Sequence, residues 1–214
     1  MKEIVIIGAG GFGREIKMLI DQINQKELSY TLRGFYDDNL QLPDKINGIP
    51  YLGSIDDLIN REKPGTHIAL GIGTPRVKAE LVERLEKYDY QFPSLIHPNA
   101  IIGADEVSIG KGSVVCAGTI ITCNIKIGDF VTLNLACTVG HDTTIGNFAS
   151  FMPSVNISGE VLIQEKVYVG TGAKIINQLE IGANTTVGAG AVVAKSLPES
   201  CTAVGIPAKP IKFH

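Results

Sequence analysis

The chain of 214 residues contains no tryptophan and little that would let it grip nucleic acid or cross a membrane. Its 19 lysines and arginines are outnumbered by 22 aspartates and glutamates, and they form no long basic run. The net charge of -3 argues against a nucleic-acid partner, which needs a basic face, but leaves small anionic ligands open because they need only local donors. No apolar run approaches membrane-spanning length, and no charged start leads into an apolar segment and a cleavage site. A soluble, cytoplasmic protein is therefore the expectation. The four cysteines, Cys116, Cys123, Cys137 and Cys201, form no C-x-x-C pair and join no histidine cluster, so the sequence encodes neither a zinc site nor a redox motif. They are read as reduced, small core or surface residues.

Glycine is plentiful, at 24 residues, and the chain has two distinct rhythms. Residues 1–93 alternate between strand and helix patterns. "KEIVIIG" is a buried-strand run, and "GREIKMLIDQIN" sets Ile16, Leu19, Ile20 and Ile23 on one helical face. "LRGFYDD" and "THIALGIG" read as further strands, "IDDLINR" as a short helix, and "PRVKAELVERLEKY" as a helix opened by proline. This order predicts a small parallel sheet flanked by helices.

From residue 94 to 214 the period becomes six. Counting in sixes from Ile109 to Val193 meets a large apolar residue at all fifteen positions. Residues two places earlier, such as Ile125, Val131, Cys137 and Ala149, are mostly small or aliphatic and share the inward face of an extended strand. Ile109, Ile127, Ile145, Ile163 and Ile181 mark a longer period of eighteen, so three hexads make one turn. That is the pattern of a parallel β-helix with three flat faces, each coil stacking at roughly 4.8 Å on the last. Glycines after the large apolar residue are expected to supply the unusual backbone angles of the corners. Ile96 and Ile102 stand one residue out of phase, which predicts an inserted residue near "ADEVS".

In this register His141, from "TVGHDTTIGN", lies two places after the inward Val139 and leaves the core near a corner. A period of eighteen puts Cys123 beneath it and Gly159 above it, where the missing side chain leaves an open notch. A neutral imidazole accepts a proton near neutral pH, and the adjacent Asp142 can orient it and stabilise its protonated form. At the other end of the chain, "GAGGFG" follows a strand and precedes a helix, so its backbone N–H groups and the helix dipole favour a phosphate. By itself that loop suggests a dinucleotide cofactor, but about 93 residues are too few for two mononucleotide halves.

"IVIIGAGGFGREI", "GFYDD", "IALGIGTPRVK", "LIHPNA", "NLACTVGHD" and "GAGAVVAKSLPESCTAVGIPAKPI" together resemble the hexapeptide-repeat acyltransferases, in the branch of sialic-acid O-acetyltransferases and nucleotide-sugar N-acetyltransferases. The resemblance runs from residue 4 to 211 and implies a Rossmann-like N-terminal domain over residues 1–93 and a left-handed β-helix over 94–214. It implies direct acetyl transfer from acetyl-CoA to the amino group of a nucleotide-diphosphate sugar in bacterial glycan synthesis, with His141 as general base, Asp142 as its partner and no metal. Acceptor contacts would come from Gly8, Gly10, Gly11, Phe12, Asp37, Asp38, Gly73 and Asn134. Acetyl-CoA would lie between subunits of a homotrimer against Gly159, Gly170, Thr171, Gly188 and Ala189, with Lys209, and Lys212 beside it, near its phosphates. Relatives often carry a second histidine nine residues after the first; Ser150 stands there and would take its place at the acetyl donor.

Other readings of the same residues are O-acetylation of a sialic acid, a nicotinamide-dependent oxidoreductase, and a non-catalytic assembly module. A zinc hydratase on the same scaffold would need three histidines, and the repeat region offers only His141 beyond His97 at its start.

Overall fold

The strand-helix alternation at the start of the chain folds into one five-stranded sheet. In the computed structural model, which describes residues 1–214, β1 (Lys2–Ile7), β2 (Tyr30–Tyr36), β3 (Lys45–Ile46), β4 (Ile49–Gly53) and β5 (His67–Leu70) lie in the order β3-β4-β2-β1-β5. The helices are α1 (Gly11–Lys26), α2 (Ile55–Arg61) and α3 (Pro75–Leu85). On one face of the sheet, Ile16, Leu19 and Ile20 of α1 pack with Ile4, Ile6 and Phe35. On the other, Leu58 of α2 and Leu81, Val82 and Leu85 of α3 pack with Val5, Ile7, Ile68 and Leu70. Each such side chain stabilises the fold by about 1.5–3 kcal/mol when fully buried.

The sheet departs from the all-parallel expectation at one edge, where β3 pairs antiparallel with β4. The turn between them is Asn47-Gly48, both at positive φ (47° and 81°), the dipeptide that two-residue hairpins favour. The hairpin strand is only two residues long, too short to show alternation in the sequence.

The hexads form a three-faced prism. The first face holds the strands Leu95–Ile96, Val114–Val115, Thr132–Leu133, Ser150–Phe151, Tyr168–Val169, Thr186–Val187 and Cys201–Val204, and ends in the antiparallel strand Lys209–Phe213. The second holds Ile101–Ile102, Ile120–Ile121, Thr138–Val139, Asn156–Ile157, Lys174–Ile175 and Val192–Val193, and the third runs from Val107–Ile109 to Glu180–Ile181. Partners are eighteen residues apart, as in Ile121↔Val139↔Ile157. In the first coil the spacing is nineteen, Ile102↔Ile121, and it has returned to eighteen at Ile109↔Ile127, so the inserted residue falls between Ile102 and Val107. Of the fifteen apolar hexad positions all but Ile109 are buried.

Four inward positions that break the aliphatic pattern, Ser113, Thr119, Thr143 and Thr185, are buried hydroxyls. They satisfy themselves on backbone carbonyls, as Thr119 Oγ1 does on Asn134 O at 3.1 Å and Thr185 Oγ1 on Pro198 O at 2.6 Å.

The corners correct one expectation. Left-handed backbone recurs every sixth residue, but three places after the large apolar residue rather than one: Gly112 and Gly118, then Asn124, Phe130, Ala136, Asp142 and Phe148, all with φ between 55° and 73°. Glycine at the place directly after the apolar residue serves close stacking instead. A Cβ on Gly146 would lie 2.6 Å from the backbone N of Glu165 in the next coil. The tight fit of one coil on the next, not the corner angle, excludes a side chain there.

The α/β unit sits on the outside of the first face. Leu95, Val114 and Cys116 join the cluster of α1, while Phe130 and Phe148, stacked at 5.2 Å, join that of α2 and α3. Lys78 of α3, only 2% exposed, reaches into this contact and donates to Phe130 O at 2.7 Å and Thr132 Oγ1 at 3.0 Å. No helix is long and apolar enough to cross a membrane.

Candidate active site

His141 and Asp142 occupy the corner between the second and third faces, linking Thr138–Val139 to Thr144–Ile145. Asp142 takes the left-handed corner conformation (φ 56°), which turns its side chain back towards the preceding residue. His141 Nδ1 lies 2.7 Å from Asp142 Oδ2. An ionised carboxylate can only accept, so Nδ1 carries the hydrogen and Nε2 keeps a free lone pair. The hydrogen bonds from His141 and from Asn124 hold the Asp142 carboxyl below its ordinary range, so it stays charged at neutral pH.

The notch above the histidine is filled by the ring itself. A Cβ on Gly159 would fall 2.5 Å from His141 Nε2 and 2.6 Å from Cε1, so the imidazole rests against the glycine backbone. The histidine side chain is 56% exposed, so Nε2 is reachable from outside the prism.

Asn124 is a member of this corner that the sequence motifs do not reveal. Its Nδ2 donates to Asp142 Oδ1 at 2.9 Å from one coil below. The period of eighteen, applied to Asp142 as it is to His141, leads directly to it.

The glycine-rich loop has two kinds of glycine. Gly8 (φ 95°), Gly13 and Gly71 lie so close together that a Cβ on Gly71 would sit 2.5 Å from Gly13 Cα, so they serve the approach of α1 to the sheet. Gly10 and Gly11 face open space. The α1 terminus there has no side-chain cap and no acid in its first turn, which leaves N–H donors for an anion beside Phe12. Asp37 is committed to shaping this loop, with Oδ2 accepting from Ala9 N at 2.8 Å and Oδ1 from Asn39 N at 2.9 Å. Asp38 Oδ1 accepts from Ile55 N at the start of α2. Both acids nevertheless line a cavity of about 200 Å³ with Gly8, Ile55, Ile72 and Leu81.

Residues expected to act together lie at different corners. Asn134, Met152, Gly170, Gly188 and Val204 form one column at the corner between the first and second faces. Gly73, in the loop before α3, meets that column at Met152. Thr171 and Ala189 follow it, and Val204 pairs with Lys209 at the C-terminal end of the prism, with Lys212 further along the same strand. His141 and Gly159 stand one prism side away, roughly 20 Å by strand rise.

Ser150 is on the first face, opposite the His141 corner, and is fully buried beneath the α/β unit with no partner for its Oγ. Within one chain it does not reach the histidine. No group of three or more His, Cys, Asp or Glu side chains is placed to hold a metal ion.

The start of the chain matches a described domain, the PglD N-terminal domain, over residues 3–85. Over 213 residues the chain is 30% identical to GDP-perosamine N-acetyltransferase of Escherichia coli O157:H7, covering 97% of this chain and 95% of the relative. The chain belongs to the PglD-like hexapeptide-repeat acyltransferases. Among solved structures of this family, PerB from Caulobacter crescentus, in complex with CoA and GDP-perosamine, has 29% identity, a TM-score of 0.87 and coverage of 99% and 98%. The acetyltransferase domain of PglB from Neisseria gonorrhoeae FA1090, in complex with acetyl coenzyme A, has 31% identity, a TM-score of 0.88 and coverage of 98% and 99%. The prism is thus the left-handed β-helix of the acyltransferases, and similarity at this level spans both halves of the molecule.

Proposed function

We propose that the chain transfers the acetyl group of acetyl-CoA directly to the amino group of a nucleotide-diphosphate-linked amino sugar. It is an acetyl-CoA-dependent nucleotide-sugar N-acetyltransferase, and the finer reading concerns how its residues share the work. The supporting observation is the His141–Asp142 pair, with Nδ1 tied at 2.7 Å and Nε2 free. The sugar amine attacks the thioester carbonyl while His141 Nε2 takes its proton. The tetrahedral intermediate collapses, the C–S bond breaks, and the imidazolium returns the proton to the departing thiolate. Asp142 holds the tautomer and stabilises the imidazolium in between.

In this reading residues 1–93 hold the sugar nucleotide, with the diphosphate at Gly10, Gly11 and Phe12 and the base in the cavity beside Asp37 and Asp38. Residues 94–214 hold acetyl-CoA along the corner of Gly170, Thr171, Gly188 and Ala189, with Lys209 near its phosphates. The active enzyme is a homotrimer. The separation of His141 and the acceptor loop at different corners supports this, with a neighbouring copy supplying one of them. GDP-perosamine, bound by PerB, sets the acceptor class to try first.

The test is release of CoA on mixing acetyl-CoA with GDP-linked and UDP-linked 4-amino sugars and with free sialic acid. Turnover of an amino sugar, reduced about 10²-fold or more in His141→Ala, is expected. Turnover of sialic acid alone would move the reading to O-acetylation, and an unchanged rate in His141→Ala would remove the histidine from the mechanism.

A further inference from the structure

We propose that Asn124 is a positioning residue for this reaction: its amide, paired across the same corner with that of Gln178, fixes two stacked carboxylates so that Asp142, and not Glu160, holds the imidazole. The proposal rests on the reading of His141 as general base. It comes from the column of corner residues Asn124, Asp142, Glu160 and Gln178, which repeat every eighteen positions and share left-handed backbone with φ of 55°, 56°, 56° and 60°. Their backbones are locked in register, with Asp142 N donating to Cys123 O at 3.1 Å, Glu160 N to His141 O at 2.7 Å and Gln178 N to Gly159 O at 3.1 Å.

The two acids in the middle of the column are one coil apart, about 4.8 Å along the prism, and repel each other. Each is held from its far side by an amide. Asn124 Nδ2 donates upward to Asp142 Oδ1 at 2.9 Å, and Gln178 Nε2 donates downward to Glu160 Oε2 at 3.0 Å. With Oδ1 occupied, Asp142 offers Oδ2 to His141 Nδ1. Glu160 is the competing partner because it follows Gly159, against which the ring lies. The other charged groups near this corner are Asp105 and Glu106 one coil below Asn124, Lys126 where the chain passes from Asn124 onto the third face, and Lys195, which continues the column of His141 and Gly159 three coils above the histidine. Neither lysine bonds to Asp142 or Glu160, so the imidazolium formed during transfer is the cation in contact with the stacked acids. Which carboxylate faces it, and on which nitrogen, decides how readily Nε2 takes a proton.

The experiment compares Asn124→Gly, which keeps the left-handed corner and removes the amide, with Asn124→Asp, which keeps the corner and adds a carboxylate. Steady-state CoA release is measured from acid to alkaline pH, with thermal midpoints and oligomeric state recorded alongside. Asn124→Gly is expected to lower kcat about fivefold with both KM values unchanged within about twofold. It should move the acid limb of the pH profile to lower pH, because a carboxylate swung off the ring stabilises the imidazolium less. Asn124→Asp is expected to move that limb to higher pH, since an added negative charge stabilises the imidazolium. If the glycine variant does not assemble, Asn124→Ala takes its place, since Ala136 already occupies the same left-handed corner conformation at φ 56°. In a His141→Ala background neither change should have a further effect.

A purely structural corner amide would leave the limb of the glycine variant unmoved, whereas the aspartate variant calibrates how far a charge at this position moves it. Wild-type kcat and an unshifted limb in the variant that removes the amide without adding charge, while His141→Ala is inactive, would overturn the ladder and leave the base standing. Full activity in His141→Ala would overturn the base itself and the ladder with it.

Discussion

At the scale of single residues, the proposed catalytic corner depends on one side chain being absent. The His141 ring lies where a Cβ on Gly159 would stand, 2.5 Å from Nε2. Gly159→Ala therefore has to push the ring outward or force open the stack between neighbouring coils, which share a backbone hydrogen bond from Glu160 N to His141 O at 2.7 Å. The ring, on a rotatable bond, yields first. The expected result is a fall in kcat on the order of 10-fold to 10²-fold, since displacement of about 1 Å at a reacting group has that effect. The melting temperature should stay close to wild type. A large drop in melting temperature with normal specific activity in the folded fraction would show that the coils yield instead. Period alone puts Gly159 over His141, because a prism stacks residues eighteen apart. It leaves the notch open, because the rotamer that lays the ring there is set by Asp142 through Nδ1. A residue's column is legible in the sequence, and the direction its side chain takes is decided by its partners in three dimensions.

At the scale of elements, α3 shows how a local pattern can conceal its own exception. Its buried stripe, Pro75, Lys78, Leu81, Val82 and Leu85, has helical spacing, and the lysine is its one charged member. Lys78 is buried against the first face of the prism, its Nζ held by Phe130 O and Thr132 Oγ1 with no carboxylate within reach. Removal from water disfavours its charge and pushes the ammonium down to about 7. Below that value the folded and unfolded chains are both protonated there, and the fold bears the full cost of a buried charge. Above it the folded chain sheds the proton while the unfolded chain keeps it up to the ordinary lysine range, so stability rises with pH through that window. The slope this group contributes is at most about 1.4 kcal/mol per pH unit. Lys78→Met, of similar length and without charge, should flatten that region of the stability curve and be more stable than wild type at pH below 7, read by denaturant unfolding. An unchanged slope would mean that water or a neighbouring group compensates the charge. The hairpin of β3 and β4 escapes detection for a different reason: the dipeptide Asn47-Gly48 announces a turn, but strands this short have no periodicity to detect. The hexads, in contrast, are readable because fourteen of the fifteen positions are enforced by one continuous core.

At the scale of the whole molecule, the geometry sets the two parts of the proposed site apart. The loop of Gly73, proposed to face the acceptor, meets the column of Asn134 at Met152, while His141 stands at the next corner of the same prism. Side chains on a rigid β-helix cannot cross a prism side of roughly 20 Å, so the proposed function has the His141 corner of one copy meet the Asn134 corner of another. Neither sequence motif reveals this split, because "NLACTVGHD" places Asn134 and His141 in one short run whose ends the fold then directs apart. Mixing provides the test. His141→Ala leaves the acceptor corner intact, and Asn134→Ala leaves the base intact, so each homotrimer is expected to be strongly impaired. After co-refolding in equal amounts, a site is whole wherever an Asn134→Ala copy presents its histidine to the asparagine corner of a His141→Ala copy. Random assortment makes about one quarter of the sites whole in a cyclic trimer. Recovery of activity towards that fraction, measured against either variant refolded alone, is the expected outcome. Absence of any recovery in trimers shown to be mixed would mean that both residues act within one chain, and the prism would then have to bring the acceptor around its own corner to the histidine.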